Sequence, residues 1–296
     1  MTRSPKEHQI AVGFDKTIKR KKVTIDGASP RRLSDALGSL PSVMFSPRDL
    51  ELVGGAPTER RRYIDLVLAL TDRRYLNALQ QYRANLVRRN AALRDAARRG
   101  GRSADERVAV WEPALAEHGT VLIEARAKWV EDSAAEFTRL SEMIGEPGRS
   151  TMRYISPFAE SEARHDVLLA AFEQKRELDI RRGLTHVGPH RDDLELTLDG
   201  RELRLFGSAG QQRTAAIALR MLEAATLREQ AGAEPILLLD DPFAELDTKR
   251  SARILELLQQ GGLGQTILAV PRESDIPVEL MKLDRLSIRN GVIDGQ

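Results

Sequence analysis

The chain has 296 residues, and 46 Lys and Arg residues against 44 Asp and Glu residues give a formal net charge of +2 at pH 7, which says little about the charge of a partner. Charged residues make up 30% of the chain and aromatic residues 4%, as in soluble proteins rich in solvated helices, and the lack of cysteine excludes disulfides and thiolate metal sites. No apolar run approaches the ~20 residues that span a bilayer, and the first residues lack the apolar core of a signal peptide, so a cytoplasmic location is expected.

The first part of the chain is predicted to form short strands and turns. Two β-rich segments flank a basic run that we expect to be a solvated hairpin, and a short helix then precedes another strand. The segments are, in chain order, Gln9–Phe14, the basic run Lys19–Lys22, Lys22–Ile25, the Asp26-Gly27 turn, residues 33–40 and Ser42–Phe45.

Long helices are predicted from Thr58 to about Gly145. Apolar residues recur at helical spacing on both sides of the Gly100-Gly101 break, which predicts two antiparallel helices joined by a short loop. The first helix has Tyr75, Leu79, Tyr82, Leu86, Leu93 and Ala97 at this spacing, and the second has Trp111, Leu115, His118, Leu122, Ala125 and Trp129.

These helices carry opposite charge. Residues 55–107 contain 13 Lys and Arg residues and 6 Asp and Glu residues, a net charge of +7, whereas residues 108–150 contain 4 and 8, a net charge of −4. Either the two helices neutralise each other laterally, or one face of the arm stays positive for a phosphate backbone. The sequence leaves both interpretations open.

The last third alternates strands and helices. Apolar alternation on both sides of Asp199-Gly200 predicts a hairpin of Leu194–Leu198 and Arg201–Leu205. The pattern then predicts a helix over 210–230, a buried strand over 235–240, a helix over 248–260 and a strand at Thr266–Val270.

Two carboxylates end the predicted buried strand. Four aliphatic residues, 236–239, run into Asp240 and Asp241, which is typical of a central parallel strand buried on both faces. Successive side chains of a strand point to opposite faces, so one carboxylate is placed to hold Mg²⁺ while its neighbour faces an attacking water. A pair of Asp residues that only cap the next turn is the structural alternative.

A glycine- and serine-containing helix start precedes that strand. Gly207-Ser-Ala-Gly-Gln-Gln212 offers backbone N–H groups, a hydroxyl and a positive helix end to an anion, although such a start alone is more often only a cap. Asp247 is a candidate N-cap for the helix beginning at Thr248. His190 lies in a turn where a structural role is the usual one, and Arg60–Arg62 by default begin a solvated helix. The phosphate cradle Gly-x-x-x-x-Gly-Lys-Ser/Thr does not occur in the 296 residues.

These segments together resemble the bacterial RecF family, ABC-type ATPases with SMC-like heads. The resemblance rests on Phe45–Asp65, Arg88–Leu93, Gly188–Asp193, Gly207–Thr214 and Leu237–Asp247, in that order. It implies an α/β fold, an incomplete ABC-type (P-loop NTPase) ATPase head with an inserted helical arm. The implied divisions are 1–46 as the remnant of the N-terminal ATPase lobe, 47–184 as the arm, and 185–296 as the ATPase lobe.

The resemblance also implies roles for individual residues. Asp240 takes the position of the Walker B magnesium ligand and Asp241 the catalytic acidic position. The signature, which meets ATP of another subunit, comprises Ser208, Gly210, Gln211 and Gln212, and the D-loop comprises Ala244, Glu245 and Asp247. DNA contacts are expected from Arg60, Arg61, Arg62, Arg88 and Arg89.

The implied function is ATP-dependent DNA repair and recombination. Family members are weak DNA-dependent ATPases that use ATP and Mg²⁺, form ATP-dependent dimers, bind DNA near junctions of single-stranded and duplex DNA, and work with RecR and RecO to load RecA. The sequence departs from the family pattern at Arg48, at 270–272 and in lacking the cradle, so we expect a truncated chain that does not turn over ATP alone. The alternatives are a non-catalytic DNA-binding or dimerisation partner of a complete homologue, and another SMC-like head fragment.

Overall fold

The structure, a computed structural model, describes residues 9–17, 19–99, 104–231, 234–243, 248–260, 265–272, 284–289 and 291–295. The N-terminal part contains strands β1 (Ile10–Asp15), β2 (Arg20–Ile25) and β3 (Ser42–Phe45), with a short 3-10 helix at Leu33–Ala36 in place of the longer helix predicted there. Strands β1 and β2 pair antiparallel as a separate hairpin, as predicted.

The arm consists of helices. Helix α1 is Leu50–Gly54, α2 is Pro57–Thr71, α3 is Arg73–Arg99, α4 is Ala104–Ala109 and α5 is Glu112–Ile144. Helices α3 and α5 are both present where two helices were predicted and they pack on each other, but helix α4 lies between them in the chain where a short loop was predicted. The predicted break at Gly100-Gly101 lies outside the described residues.

After helix α5 the chain returns to mixed structure. Strand β4 (Ser150–Ile155), helix α6 (Arg164–Arg182), strand β5 (Asp193–Leu198) and strand β6 (Arg201–Glu202) come first, and of these β4 and α6 still fall within the predicted bounds of the arm, 47–184. The four elements are followed by α7 (Leu203–Phe206), α8 (Ala209–Ala231), β7 (Ile236–Asp240), α9 (Thr248–Gln260), β8 (Thr266–Ala269), β9 (Leu286–Arg289) and β10 (Val292–Gly295). The predicted elements over 210–260 and the strand at 266 are therefore confirmed.

The predicted Asp-Gly hairpin is present, but its second strand is short. Asp199 and Gly200 both have positive φ, 49° and 76°, as a two-residue turn requires. Residues 203–206 form helix α7 instead of extending the strand. Leu203 is buried there, whereas Leu205 and Phe206 are 61% and 68% exposed, so Leu203 and Leu205 lie on different sides of a helical turn and not on one face of a strand.

The central sheet contains three parallel strands in the order β3-β7-β8. One face is packed, because Val43 and Leu237 are buried with Leu227 of α8. On the other face Met44 and Ile267, which flank Leu238 in register, are 53% and 52% exposed. The prediction of a strand buried on both faces is therefore wrong for the part of the chain that the structure describes.

Candidate functional site

Asp240 and Asp241 lie at the carboxyl end of the central strand β7. Asp240 is the last strand residue and is exposed, and the backbone N–H of Asp241 donates to the Ala269 carbonyl at 2.9 Å. Asp241 has φ of 48°, in the left-handed region. The strand alternation invoked from sequence therefore ends at Asp240, and the left-handed turn sets the direction of Asp241.

Ser208 caps the N-terminus of helix α8 in a reciprocal arrangement with Gln211. Its Oγ accepts the backbone N–H of Gln211 at 3.3 Å, and Gln211 Oε1 accepts the backbone N–H of Ser208 at 2.9 Å. This is the capping-box arrangement, with glutamine as the third helical residue. Because a hydroxyl that accepts one bond still has its own proton, the exposed Ser208 side chain can donate to an external acceptor.

Gly210 and Gln212, which lie between and beside these capping residues, make hydrogen bonds with other residues of the chain. The Gly210 carbonyl accepts the Thr214 hydroxyl at 3.0 Å within the helix. Gln212 Nε2 donates to the Leu203 carbonyl at 3.0 Å, and the same side chain lies against Gly54. The Gln212 amide thus ties α8 to the preceding turn and to α1, whereas Ser208 and Gln211 form the outer end of the helix.

Arg213 connects the two parts of the predicted nucleotide site. Its Nη1 donates to the Asp241 carbonyl at 3.0 Å, and its guanidinium lies 6.0 Å from the ring centroid of Phe45. The side chain is 3% exposed. The start of α8 and the end of β7 are therefore held together by a buried cation, a role that no feature of the sequence pattern indicates.

The predicted D-loop residues Ala244, Glu245 and Asp247 lie outside the described residues, as does the predicted cap of α9. Their roles stay predictions.

The donor set at the end of β7 fits Mg²⁺. Among the described residues no group of three or more His, Asp or Glu side chains lies close enough to form a dedicated metal cage. Mg²⁺ does not need one, because it keeps several waters and binds through one or two carboxylates plus phosphate oxygens. The solvent-facing Asp240 carboxylate would be that ligand, and Mg²⁺ held there would neutralise charge on phosphate groups.

Arg60 is not a surface DNA contact. Its Nε and Nη2 donate to the two carboxylate oxygens of Asp193 at 2.8 Å each, and Nη1 donates to the Gly55 carbonyl at 2.9 Å. The side chain is 3% exposed. The predicted DNA role of Arg60 is corrected, because its donors join the start of α2 to strand β5.

Arg61 and Arg62 are less buried than Arg60, so the predicted contact with DNA is not contradicted for them. Arg61 is half-buried, with Nη1 donating to the Asp192 carbonyl at 2.7 Å and Nη2 to the Thr58 hydroxyl at 3.1 Å. Burial and the neighbouring positive charge of Arg126 lower the pKa of Arg61. Arg62 is exposed. Contact with DNA by either residue stays a prediction.

The neighbouring residues Arg88 and Arg89 have opposite environments, one exposed and the other fully buried. Arg89 is 0% exposed, and it donates to Asp179 at 2.7 Å and to Glu112 at 2.9 Å. Its predicted DNA role is corrected, since a fully buried and doubly paired guanidinium cannot meet a backbone phosphate. Arg88 is exposed, with its guanidinium 5.5 Å from the Trp111 ring centroid, and keeps the predicted role as an untested one.

A buried network in the arm was missed by the sequence analysis. Asp65 accepts the Tyr75 hydroxyl at 2.5 Å, Arg126 at 2.7 Å and Arg83 at 2.9 Å. Arg126 also donates to the carbonyl of Pro189, next to the histidine that the sequence singled out. The basic helical segment is therefore partly neutralised in two ways, because Arg83 pairs with Asp65 of the same segment and Arg89 pairs with Glu112 of the acidic segment.

His190 has a structural role in this network. Its Nε2 lies 3.1 Å from the Thr185 carbonyl and its Nδ1 lies 2.7 Å from the Tyr82 hydroxyl. Because a carbonyl only accepts, Nε2 carries the proton and Nδ1 accepts from Tyr82. Burial lowers the pKa of His190 to about 4, so the ring is neutral at pH 7.

Comparison with known proteins places this arrangement in a family. No family model matches the chain. It is 37% identical to the DNA replication and repair protein RecF of Herpetosiphon aurantiacus over 287 residues, 96% of this chain and 72% of that protein. The chain belongs to the RecF family. The RecF protein of Chloroflexus aurantiacus is 38% identical over 285 residues, 94% of this chain and 71% of that protein.

The solved structures agree with this assignment. The recombination mediator protein RecF-ATP of the RecFOR pathway matches with a TM-score of 0.85 and 28% identity, covering 98% of this chain and 76% of that chain. The RecF-ATPrS structure of the same pathway matches with a TM-score of 0.84. The predicted RecF resemblance and the α/β fold of an ABC-type ATPase head are thereby confirmed, and the two matched RecF structures are those of RecF-ATP and RecF-ATPrS. The divisions at 46/47 and 184/185 stay predictions. None of the described helices is long and apolar enough to cross a membrane.

Proposed function

We propose that this RecF-family chain binds DNA near junctions of single-stranded and duplex DNA and helps RecO and RecR load RecA under the control of ATP. The observation that carries the proposal is the match of 98% of the chain to the RecF-ATP structure. Bacterial chromosomal DNA lies in the cytoplasm, which is where we propose that the protein acts.

The geometry supports a half-site for ATP in this chain. Ser208 presents an exposed hydroxyl at the positive end of the 23-residue helix α8, and Arg213 ties this helix to the turn at Asp241. Paired with a second RecF-family subunit, the chain would offer Ser208 to the γ-phosphate of ATP held by that partner. Asp240 and Asp241 would take the positions of the Mg²⁺ ligand and the catalytic acid in the chain's own site, which does not contribute to the half-site offered by Ser208.

ATP-dependent pairing tests the half-site. The chain is co-purified with a full-length RecF homologue, with and without a non-hydrolysable ATP analogue. A charge-assisted hydrogen bond from Ser208 contributes on the order of 1.5–3 kcal/mol, or roughly tenfold to a hundredfold in ATP-dependent association. Ser208→Arg should abolish ATP-dependent pairing, whereas Asp240→Asn should leave it almost unchanged. Equal pairing with and without the analogue, or equal damage by both substitutions, would exclude the half-site.

DNA binding is tested separately. Fluorescence anisotropy with a duplex bearing a single-stranded overhang, the matching blunt duplex and the matching single strand compares the three DNA forms on one chain. We expect the overhang substrate to bind most tightly and each affinity to fall with salt, because phosphate neutralisation releases counterions. Equal affinity for all three forms would contradict the junction preference, and no binding at low salt would contradict DNA binding itself.

A further inference from the structure

A basic cavity lies where helices α2, α3 and α5 meet the segment 185–193. Its volume is about 370 Å³, and its lining includes Arg61, Arg62, Arg83 and Arg126 with Asp65 as the acidic member. Four guanidinium groups against one carboxylate leave a net charge of +3 on the lining, since His190 in the same wall is neutral at pH 7. We propose that this cavity is a phosphate-binding pocket that receives a phosphate group of a DNA strand. The proposal rests on the DNA-binding function proposed above and names the site of that contact.

Two of the four arginines contribute positive electrostatic potential to the cavity but do not contact the ligand. Arg126 is 2% exposed, and all three of its nitrogens are occupied, by the Tyr75 hydroxyl at 3.0 Å, the Pro189 carbonyl at 2.7 Å and Asp65 at 2.7 Å. Arg61 is held through both terminal nitrogens. These two charges are fixed, so they create positive potential in the cavity without side-chain motion.

The other two arginines have N–H groups that are available to donate hydrogen bonds to a ligand. Arg83 has a side chain that is 61% exposed, and its one ion pair with the described residues is from Nη2 to Asp65 at 2.9 Å, which leaves Nη1 and Nε for another acceptor. Arg62 is exposed and makes no hydrogen bond or ion pair with the described residues. One donor from α2 and one from α3 can therefore approach the same phosphate from two sides of the cavity.

The surroundings strengthen attraction for an anion. Thr58, in the first turn of the 15-residue helix α2, also lines the cavity, and the N-cap of α2 is Ala56, which has no side-chain acceptor. The positive end of the helix thus adds to the arginine charges. The apolar part of the wall, which includes Leu79 and Leu122, keeps the local dielectric constant below that of water. Burial and Arg126 lower the pKa of Arg61, as expected where positive charge is not fully compensated.

The size of the cavity restricts what enters it. A volume of about 370 Å³ admits a phosphate with its sugar but not a duplex. The ligand is therefore either a phosphate of the backbone that passes over the opening or the terminal phosphate of a strand end. Both have the same chemistry, and oligonucleotides with and without a 5′-phosphate distinguish them.

Single substitutions and a matched control test the pocket. DNA affinity is measured by fluorescence anisotropy over a salt series for the full chain and for Arg62→Ala, Arg83→Ala and Arg74→Ala. Arg74 is the control, because it is exposed on the same helix as Arg83 and does not line the cavity. We expect each pocket variant to weaken binding roughly tenfold and to reduce the slope of log K against log salt by about 1. Arg74→Ala should change affinity less than about twofold and leave the slope unchanged.

Inorganic phosphate gives a readout that does not depend on DNA. Added at an ionic strength matched with chloride, it should raise the melting temperature of the wild type and of Arg74→Ala more than that of Arg62→Ala or Arg83→Ala. General salt effects cancel because all four proteins share the buffer, and circular dichroism verifies that each variant is folded. A tighter complex with 5′-phosphorylated than with 5′-hydroxyl DNA would assign the pocket to a strand end, and equal affinity would assign it to the backbone.

The outcomes separate the two proposals. If the wild type binds DNA and all three substitutions weaken binding equally, the pocket is overturned while DNA binding stands. If the wild type does not bind DNA, the proposed function fails, and selective stabilisation by inorganic phosphate still supports the pocket. No selective stabilisation by phosphate together with unchanged DNA affinity in Arg62→Ala and Arg83→Ala overturns the pocket.

Discussion

Arg60 and Asp193 form a two-point ion pair in which both carboxylate oxygens accept from one guanidinium at 2.8 Å. The pair joins the first turns of helix α2 to the first residue of strand β5, so it couples the arm to the antiparallel sheet. A basic run that the sequence suggests as a contact for DNA thus contains a structural cation, Arg60, two residues from an exposed one, Arg62.

Arg60→Ala should destabilise the fold more than it affects DNA. We expect the free energy of unfolding to fall by about 3 kcal/mol, because Asp193 loses its buried partner. Arg62→Ala, two residues further along the same helix, should change it by less than about 0.5 kcal/mol while lowering DNA affinity. Urea unfolding and anisotropy on both variants check this. Similar stabilities for the two variants would contradict a structural role for Arg60.

The adjacent residues Arg88 and Arg89 provide a second matched pair. Arg89→Ala leaves Asp179 and Glu112, which are 0% and 1% exposed, without their shared partner, and should cost about 3–5 kcal/mol. Arg88→Ala loses an exposed contact with Trp111 and should cost about 0.5–1 kcal/mol. Denaturant midpoints measured under one condition decide the comparison. A mild effect of Arg89→Ala would show that the donors already present, Arg176 Nε at Glu112 and the His186 backbone N–H at Asp179, are sufficient for the two buried acids.

Gly188 is required by the contact between Tyr82 and His190. Its φ is +116°, and a Cβ atom there would lie 2.5 Å from the Tyr82 hydroxyl oxygen. Gly188→Ala should therefore cost roughly 2–4 kcal/mol from backbone strain and overpacking. Gly200→Ala is the control, because Gly200 also has positive φ, +76°, but nothing lies within 4 Å. It should cost about 1–2 kcal/mol, and equal melting temperatures for the two variants would exclude the steric effect.

Protonation of His190 should lower the free energy of unfolding at acidic pH. The pKa of His190 in the folded chain is about 4, below the ordinary value of 6.5, so between these values the unfolded chain binds a proton that the folded chain does not. The contribution is present in full above about pH 6.5 and is lost as pH falls towards 4, with an upper limit on the order of 3 kcal/mol. His190→Gln should lose less stability over this range. Parallel pH profiles of the free energy of unfolding would contradict the assignment.

Local sequence rules predicted most elements of this fold. The Asp199-Gly200 turn, the strand Ser42–Phe45 and the helix after Gly207 follow from turn chemistry, strand composition and helix-start signals that act over a few residues. The short extent of β6 was not predictable from alternation. Leu203 and Leu205 would share one face of a strand, and only the fold shows that a helical turn buries Leu203 and exposes Leu205.

The functional groups of the candidate site were predictable from the sequence, but the residues that bind or pair with them were not. Asp240 and Ser208 were identified because carboxylates after an aliphatic strand and a serine before a helix carry local meaning. The burial of Arg60 and Arg89 depends on Asp193 and Asp179, which are distant in sequence and become neighbours only in the fold. Nothing in a run of three arginines distinguishes the paired one from the exposed one.

The parallel pairing of Phe45 with Leu239 has a consequence for the order in which the molecule folds. The whole arm lies between these two adjacent strands, so the sheet closes a very long loop, whose entropic cost is recovered only after the arm has brought its ends together. Helical contacts close in sequence form sooner than such distant pairings. We therefore expect helical circular dichroism to recover before the backbone amides of residues 236–240 become protected from hydrogen exchange. The strand that presents Asp240 would then be among the last parts of the molecule to acquire its native position.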